Sequence, residues 1–316
     1  MQYRQLGNAG LKLSDIALGG WLTFGNAVDL DRTRAILDKA FDLGIIFLDT
    51  ADAYATGRCE EVWGECLLAR RRSDYVLATK VFFPMGDNPN DRGLSRKHIM
   101  ESCEASLRRL RTSYLDLYQC HRFDPSTPLQ ETIRAMDDLI RQGKILYWGF
   151  SEWPVEQIEK CLQICSAGGY DRPKSSQPQY SLIHRAPEQA VFPLSSKAGI
   201  GQVVWSPLGQ GILTGKYMPG HPLPSDSRAK DPRQNQFISN LVGDRALLEK
   251  VQKLRPVAQE VGCTMPQLAL AWILRRPEVT SCIVGATQPQ QLEENARASD
   301  IALSKDVIAR MEEIVA

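Results

Sequence analysis

Histidine is scarce in this chain of 316 residues: there are four, at positions 98, 121, 184 and 221. The eight cysteines, at 59, 66, 103, 120, 161, 165, 263 and 282, include no C-x-x-C pair. Cys161 and Cys165 have the spacing of one helix face, but no histidine lies nearby to complete a donor set. A structural metal centre therefore lacks its ligands, and reduced, buried thiols are the expectation. No run approaches the ~18 apolar residues that a membrane span needs. The first residues, MQYRQLGNAGLKLS, lack the charged stretch and apolar run of a secretory leader, so cytoplasmic residence is expected. Neither charge sign dominates: 38 Lys and Arg against 37 Asp and Glu give +1. That balance argues against nucleic acid or an anionic membrane as a partner. No G-x-G-x-x-G follows the first apolar run, so a Rossmann fold has no fingerprint. Gly211, Gly215 and Lys216 resemble a phosphate loop but stand one residue too close, with Tyr217 in place of Ser or Thr. Tyr170 and Lys174 have the spacing of a helical Tyr–Lys pair, and Pro173 breaks the helix such a pair requires.

What the sequence does contain is an alternation. Short apolar or β-branched runs recur at 16–20, 45–50, 75–80, 115–121, 145–151, 174–177, 201–206 and 281–286. Longer amphipathic stretches separate them, at 31–43, 95–110, 129–142, 155–167, 187–198, 245–275 (broken near Gly262) and 289–298. Near-continuous apolar strands alternating with helices imply a parallel sheet with both faces covered. Eight units closed on themselves make a (β/α)8 TIM barrel of the α/β class. Residues 2–13 read as an N-terminal β-hairpin around Gly7-Asn8-Ala9-Gly10, and 305–315 as a closing helix. Residues 207–243, rich in Gly, Pro and Ser, form a long loop after the seventh strand, a length that points to function or disorder. No linker divides the chain, so residues 1–316 are expected to form a single domain.

In such a barrel the active site lies at the C-terminal strand ends. The second strand ends in Asp49, with Tyr54 five residues on, the third in Lys80 and the fourth in His121. The fifth ends in Ser151 and Glu152, the sixth in Gln177, the seventh in Trp205 and Ser206, and the eighth in Gly285, Ala286 and Thr287. Each has an ordinary reading: a capping Asp, a solvated Lys, a surface Tyr, a His that satisfies backbone groups. Gathered on one rim, they permit proton donation to a carbonyl oxygen. A phenol with a pKa near ~10 is a poor acid at neutral pH. An ammonium ~4 Å away, at an effective dielectric near ~20, favours the phenolate by about 4 kcal/mol. That interaction alone lowers the pKa by up to roughly three units, before desolvation is counted. Lys80 supplies the charge, Asp49 holds it, and His121 orients the carbonyl. Such an acid needs a hydride donor, which side chains cannot provide, so a nicotinamide is implied.

These residues also carry a family likeness. FLDTADAY (47–54), LATKVF (77–82), His121, WGFSEW (148–153), QPQYS (177–181), WSPLGQGILTGKY (205–217) and GATQPQQLEEN (285–295) resemble the aldo-keto reductase superfamily along almost the whole chain. GLSRKHI (93–99), VWSPL (204–208) and GKY (215–217) look most like the branch of potassium-channel β subunits and their bacterial and plant relatives. The likeness implies the tetrad Asp49, Tyr54, Lys80 and His121, with NADPH (NADP+) as cofactor and NADH less favoured. It implies that Ser151 and Gln177 bind the nicotinamide carboxamide, with Glu152 adjoining, and that Trp205 stacks on the ring. Gly20 and Trp21 join the cofactor site, and Ser206, Pro207, Leu208 and Gly211 approach the pyrophosphate. Lys216 and Arg228 reach the phosphates or the adenine edge. Gly285, Thr287, Gln291, Glu294 and Asn295 hold the adenosine end, beside a helix N-terminus suited to anions. The substrate pocket is expected from Trp21, Tyr54, Phe82, His121 and Trp153, with Phe83 as a further candidate.

The sequence also departs from the superfamily pattern. Gly285 stands where many reductases have a Lys that pairs with the 2′-phosphate, and Gln291 where many have Arg. Both losses bear against NADPH, and Lys216 and Arg228 are the compensating cations. Glu152 stands where Asn or Arg is usual. Channel β subunits carry Asn at the position of His121, so His favours ordinary turnover. The first expectation is therefore a reductase acting on a small-molecule carbonyl. The alternatives are a nicotinamide-sensing regulatory subunit with slow turnover, and an NAD-dependent dehydrogenase working from alcohol to carbonyl. The channel-subunit branch forms tetramers, so a homo-oligomer fits the likeness.

Overall fold

The computed structural model of the protein describes residues 1–225, 227–231, 235 and 238–316. A two-stranded antiparallel hairpin, β1 (Tyr3–Gln5) with β2 (Lys12–Ser14), precedes eight parallel strands. These are β3 (Ile16–Gly19), β4 (Phe47–Asp49), β5 (Val76–Val81), β6 (Leu115–Cys120), β7 (Ile145–Ser151), β8 (Ser175–Gln177), β9 (Gly201–Val204) and β10 (Val279–Val284). They pair in chain order, and β10 pairs with β3, so the sheet is a closed barrel. The (β/α)8 architecture and the N-terminal hairpin stand as the sequence implies, while the segment 207–243, expected as a loop, carries short helical turns and ends in a helix at Ser239–Gly243.

The helices outside the barrel are α1 (Leu30–Asp42), α2 (Arg58–Leu67), α3 (Arg96–Leu110), α4 (Leu129–Arg141), α5 (Val155–Gly168) and α6 (Val191–Ala198). Then come α7 (Ser239–Gly243), α8 (Arg245–Gln252), α9 (Arg255–Val261), α10 (Met265–Leu274), α11 (Pro289–Ala296) and α12 (Lys305–Val315). Caps fix several starts: Asp29, Ser95, Asp244 and Ser304 each accept from a backbone N–H in the first turn of the helix they precede. Two findings differ from the sequence reading. α2 has no counterpart in it. The stretch 245–275 breaks twice rather than once, because Pro256 opens a new helix after Leu254, in addition to the turn at Gly262.

Two apolar layers hold the barrel. The larger lies between strands and helices, around Trp63, Trp148 and Trp272, all at most 1% exposed. The smaller fills the barrel's lower interior with Ala17, Phe47, Val76, Ala78, Leu117, Val203 and Ile283, closed from below by Leu6 and Leu13 of the hairpin. Gly7 makes this plug fit. Its φ is +54°, and a Cβ there would lie 2.2 Å from the Gly199 carbonyl oxygen. No helix among the described residues is long and apolar enough to cross a membrane.

Candidate active site

Strand periodicity builds the site. Side chains two apart on a strand share a face, and three inward series here climb from apolar to polar. Phe47 is followed by Asp49, Ala78 by Lys80, and Leu117 by Gln119 and His121. Ser175 is followed by Gln177, Val203 by Trp205, and Ile283 by Gly285. The apolar members form the lower core, and the polar ones gather at the C-terminal rim. A groove of about 1420 Å³ opens there, bounded by Asp49, Tyr54, His121, Ser151, Gln177 and Trp205 at one end and by α11 at the other. It exceeds the usual volume of a pocket for one drug-sized molecule.

Lys80 is the centre of the tetrad geometry. Its side chain is 0% exposed, and its ammonium donates to Asp49 Oδ1 at 2.5 Å, to the Thr50 carbonyl at 2.7 Å and to the Tyr54 hydroxyl oxygen at 3.2 Å. An ammonium has three donors and no acceptor. All three are used, and the Tyr54 oxygen is an acceptor from Lys80. The phenol's own proton therefore has to point elsewhere, and Tyr54 lines the groove. Asp49 is held at its second oxygen by Gln177 Nε2 at 2.9 Å. The His121 ring meets Tyr54 edge-on, with centroids 5.7 Å apart, and Phe83 at 4.8 Å.

The electrostatics correct one expectation. Burial raises the Tyr54 pKa above its ordinary value of 10.0, and the nearby Lys80 ammonium offsets only part of that rise. The reason is geometric. Lys80 lies closer to the Asp49 carboxylate than to the phenol, and that carboxylate itself opposes the phenolate. For Lys80, burial disfavours the charge, but Asp49 and Tyr54 outweigh it and the pKa ends above 10.5. Tyr54 thus holds its proton, and Lys80 its charge, throughout the neutral range. For His121, burial, the Lys80 ammonium and Arg122 all push the pKa well below 6.5, so its imidazole is neutral. His121 Nδ1 is buried and has no hydrogen-bond partner.

The groove brings together most of the residues singled out from sequence. Trp21, Ser206, Pro207, Leu208, Gly211, Lys216, Arg228, Gly285, Thr287, Gln291, Glu294 and Asn295 all line it. Ser151 Oγ donates to the Gln177 carbonyl at 2.8 Å. Gln291 Oε1 accepts from the Thr287 backbone N–H at 2.7 Å, closing the start of α11. The Arg228 guanidinium donates to Gln210 and lies 6.0 Å from the centroid of the Trp21 ring. Burial lowers its pKa from 12.5.

Other residues fall elsewhere. Trp153 is 3% exposed, stacked on Phe150 with centroids 5.1 Å apart and met edge-on by Phe123, so it belongs to the core rather than the pocket. Phe82 packs against the core, and Phe83 lines the groove in its place. Gly20 lies beneath the rim, where a Cβ would meet Cys59 Sγ at 2.6 Å. Glu152 lies just outside the groove and holds Trp205 from behind. Its Oε1 accepts from the Trp205 indole N–H at 2.8 Å. Sequence reading missed Gln210 and the far wall formed by Arg255, Gln259, Thr264 and Met265. The Pro-initiated starts of α9 and α10 were the signal for that wall. Among the described residues no cluster of His, Cys, Asp and Glu suits a metal ion.

Comparison with known proteins supplies the family. A protein of Arabidopsis thaliana named "Probable voltage-gated potassium channel subunit beta" is 44% identical over 321 residues, covering 100% of this chain and 97% of the relative. A rice protein (Oryza sativa subsp. japonica) of the same name is 43% identical over 321 residues, with the same coverage. A Schizosaccharomyces pombe protein named "Putative voltage-gated potassium channel subunit beta" is 41% identical over 326 residues, covering 99% of this chain and 93% of the relative. Residues 15–316 match the sequence model of the aldo/keto reductase family, and the chain belongs to that family.

Proposed function

We propose that this chain is an NADPH-dependent reductase of aldehydes and ketones in which Tyr54 is the general acid. The observation that carries the reading is the three-way hydrogen bonding of Lys80, which leaves the Tyr54 proton available to the groove. The groove suits a dinucleotide. It offers the flat Trp205 ring at the tetrad end, Lys216 and Arg228 along its course, and an open Gly211 at φ +99° where backbone can approach a phosphate. When bound, a reduced nicotinamide supplies the hydride for the carbonyl carbon. Ser151 and Gln177 would orient its amide, and Trp205 would cover one ring face. His121, neutral and with one N–H, holds the carbonyl oxygen. Tyr54 donates its proton to that oxygen, and Lys80 steadies the phenolate left behind. Trp21, Tyr54, Phe83 and His121 frame the substrate, whose class their aromatic edges favour as apolar. The test is a carbonyl panel assayed with NADPH and NADH. NADPH-driven turnover is expected, and no turnover with any carbonyl would remove the reading.

The similarity to proteins named as channel β subunits supports a second reading: a nicotinamide-sensing partner of another protein, with slow turnover. Oxidation of bound NADPH in a single turnover separates the two. Fast repeated turnover rejects the sensor. Cofactor retained through gel filtration, with slow oxidation, favours it.

A further inference from the structure

Glu152 is a departure that the reaction above leaves unused. β7 ends at Ser151, and the chain turns at once through Glu152, whose φ is +55°. A non-glycine residue holds that conformation only where its surroundings over-determine it. Here they do. One oxygen, Glu152 Oε1, accepts both the Gln179 backbone N–H at 2.5 Å and the Trp205 indole N–H at 2.8 Å. The Trp205 backbone is tied as well. Its N–H donates to the Pro178 carbonyl at 3.2 Å, and its carbonyl accepts from the Tyr180 N–H at 3.2 Å. The ring itself is only half-buried, with Trp21 edge-on at 6.0 Å. Among the described residues, Glu152 is the one polar hold on that ring.

We propose that Glu152 is a positioning residue that fixes the plane of the Trp205 indole against the nicotinamide end of the groove. The inference rests on the dinucleotide reading given above. Because a single oxygen receives both N–H groups, geometry rather than charge does the holding, and an amide oxygen at the same reach replaces it. An exposed carboxylate in high-dielectric surroundings adds little by charge alone. Ala at this position keeps the same backbone cost but removes the acceptor and frees the ring to turn.

The experiment is a titration of NADPH into the unaltered protein, Glu152→Gln, Glu152→Ala, Trp205→Phe and the Glu152→Ala/Trp205→Phe pair, read by quenching of indole emission. Glu152→Ala is expected to weaken NADPH binding about 10-fold, the upper end for loss of one ordinary hydrogen bond, and to diminish the Trp205-dependent quench. Glu152→Gln is expected to stay within about 3-fold and restore the quench. In the Trp205→Phe background, Glu152→Ala is expected to have no further effect, since the two act as one unit. Wild-type affinity and quench in Glu152→Ala would overturn the proposal. So would a Glu152→Gln as weak as Glu152→Ala, or an undiminished Ala effect in the Phe background. If Glu152→Ala fails to fold, Glu152→Leu, which also lacks an acceptor, takes its place with the same expected and overturning results. No binding of either dinucleotide by the unaltered protein would instead sink the cofactor reading, and this inference with it.

Discussion

The proton on Tyr54 is secured by donor arithmetic rather than by a low pKa. Lys80 spends its three N–H groups on Asp49, Thr50 and the Tyr54 oxygen, and burial keeps the phenol protonated above its ordinary range. Because the Tyr54 pKa is raised and that of His121 lowered, neither group titrates between about pH 6.5 and 10. The rate of carbonyl reduction is therefore expected to be flat from about pH 7 to 9, with no histidine inflexion near ~6.5. Tyr54→Phe should cut turnover by roughly 10²–10⁴-fold, the range for a positioned acid, with NADPH affinity little changed. Steady-state rates and a binding titration check both, and near-native turnover in Tyr54→Phe would remove the mechanism. A second buried acid lies just behind. Asp52 Oδ2 accepts from Ser102 at 2.7 Å, and burial, with Glu60 beside it, raises its pKa from 3.8 to about 7. The folded protein thus binds a proton that the unfolded chain releases, so stability falls as pH rises through about 4 to 7 and the full penalty applies above 7. A gap of that size corresponds to a few kcal/mol in order of magnitude. Asp52→Asn is expected to melt higher than the unaltered protein at pH 8 and to gain far less at pH 5, measured by thermal unfolding at both. Asp49, Lys80 and His121 were legible because strands place polar ends on one rim, and Tyr54, past the end of β4, from the family likeness. The sign of the Tyr54 shift was not, since it depends on how much water the fold excludes.

At the scale of elements, strands and most helices declared themselves by pattern, and α2 did not. It starts from Gly57, at φ +87°, without a side-chain cap, and its inner face carries Glu60, 0% exposed, which interrupts the apolar stripe. That carboxylate accepts from Thr79 Oγ1 at 2.5 Å and from Arg109 at 2.7 Å. The partners lie 19 and 49 residues away in sequence, where periodicity cannot see them. Phe82 and Trp153 were misplaced for a related reason. One step along a strand end, or past a tight turn, exchanges groove for core. The hairpin, by contrast, was legible from Gly7 to Gly10, and its role follows from packing. Leu6 and Leu13, both 0% exposed, close the barrel at the end opposite the tetrad. Leu6→Ala removes a buried side chain from this closed layer and is expected to cost about 2–5 kcal/mol. Chemical denaturation should show that loss while the folded fraction keeps its NADPH affinity. A fall in affinity with unchanged stability would contradict the separation of plug from site.

For the whole molecule, a groove at one end of a closed barrel makes stability and the proposed cofactor binding a single equilibrium. A ligand that binds only the folded state stabilises it by RT ln(1 + [L]/Kd), about 2.7 kcal/mol at a hundredfold excess over Kd. In a chain of this length that corresponds to a rise in Tm of roughly 5 °C. The proposed NADPH preference adds a second comparison. Lys216 and Arg228 line the groove, Arg228 as a half-buried cation whose pKa burial lowers, and such a group gains when a phosphate approaches. Gly285 and Gln291 offer no cation beside α11, so on the proposed reading the discrimination rests on Lys216 and Arg228 in the segment after β9. A tenfold preference for NADPH is worth about 1.4 kcal/mol, so NADH at the same concentration should raise Tm by roughly half as much. Replacing Arg228 by Ala should narrow the difference between the two cofactors while leaving the NADH shift nearly intact. Differential scanning fluorimetry at matched concentrations decides the matter. Equal shifts from NADH and NADPH in the unaltered protein would remove the preference, and no shift from either would remove the dinucleotide from this groove.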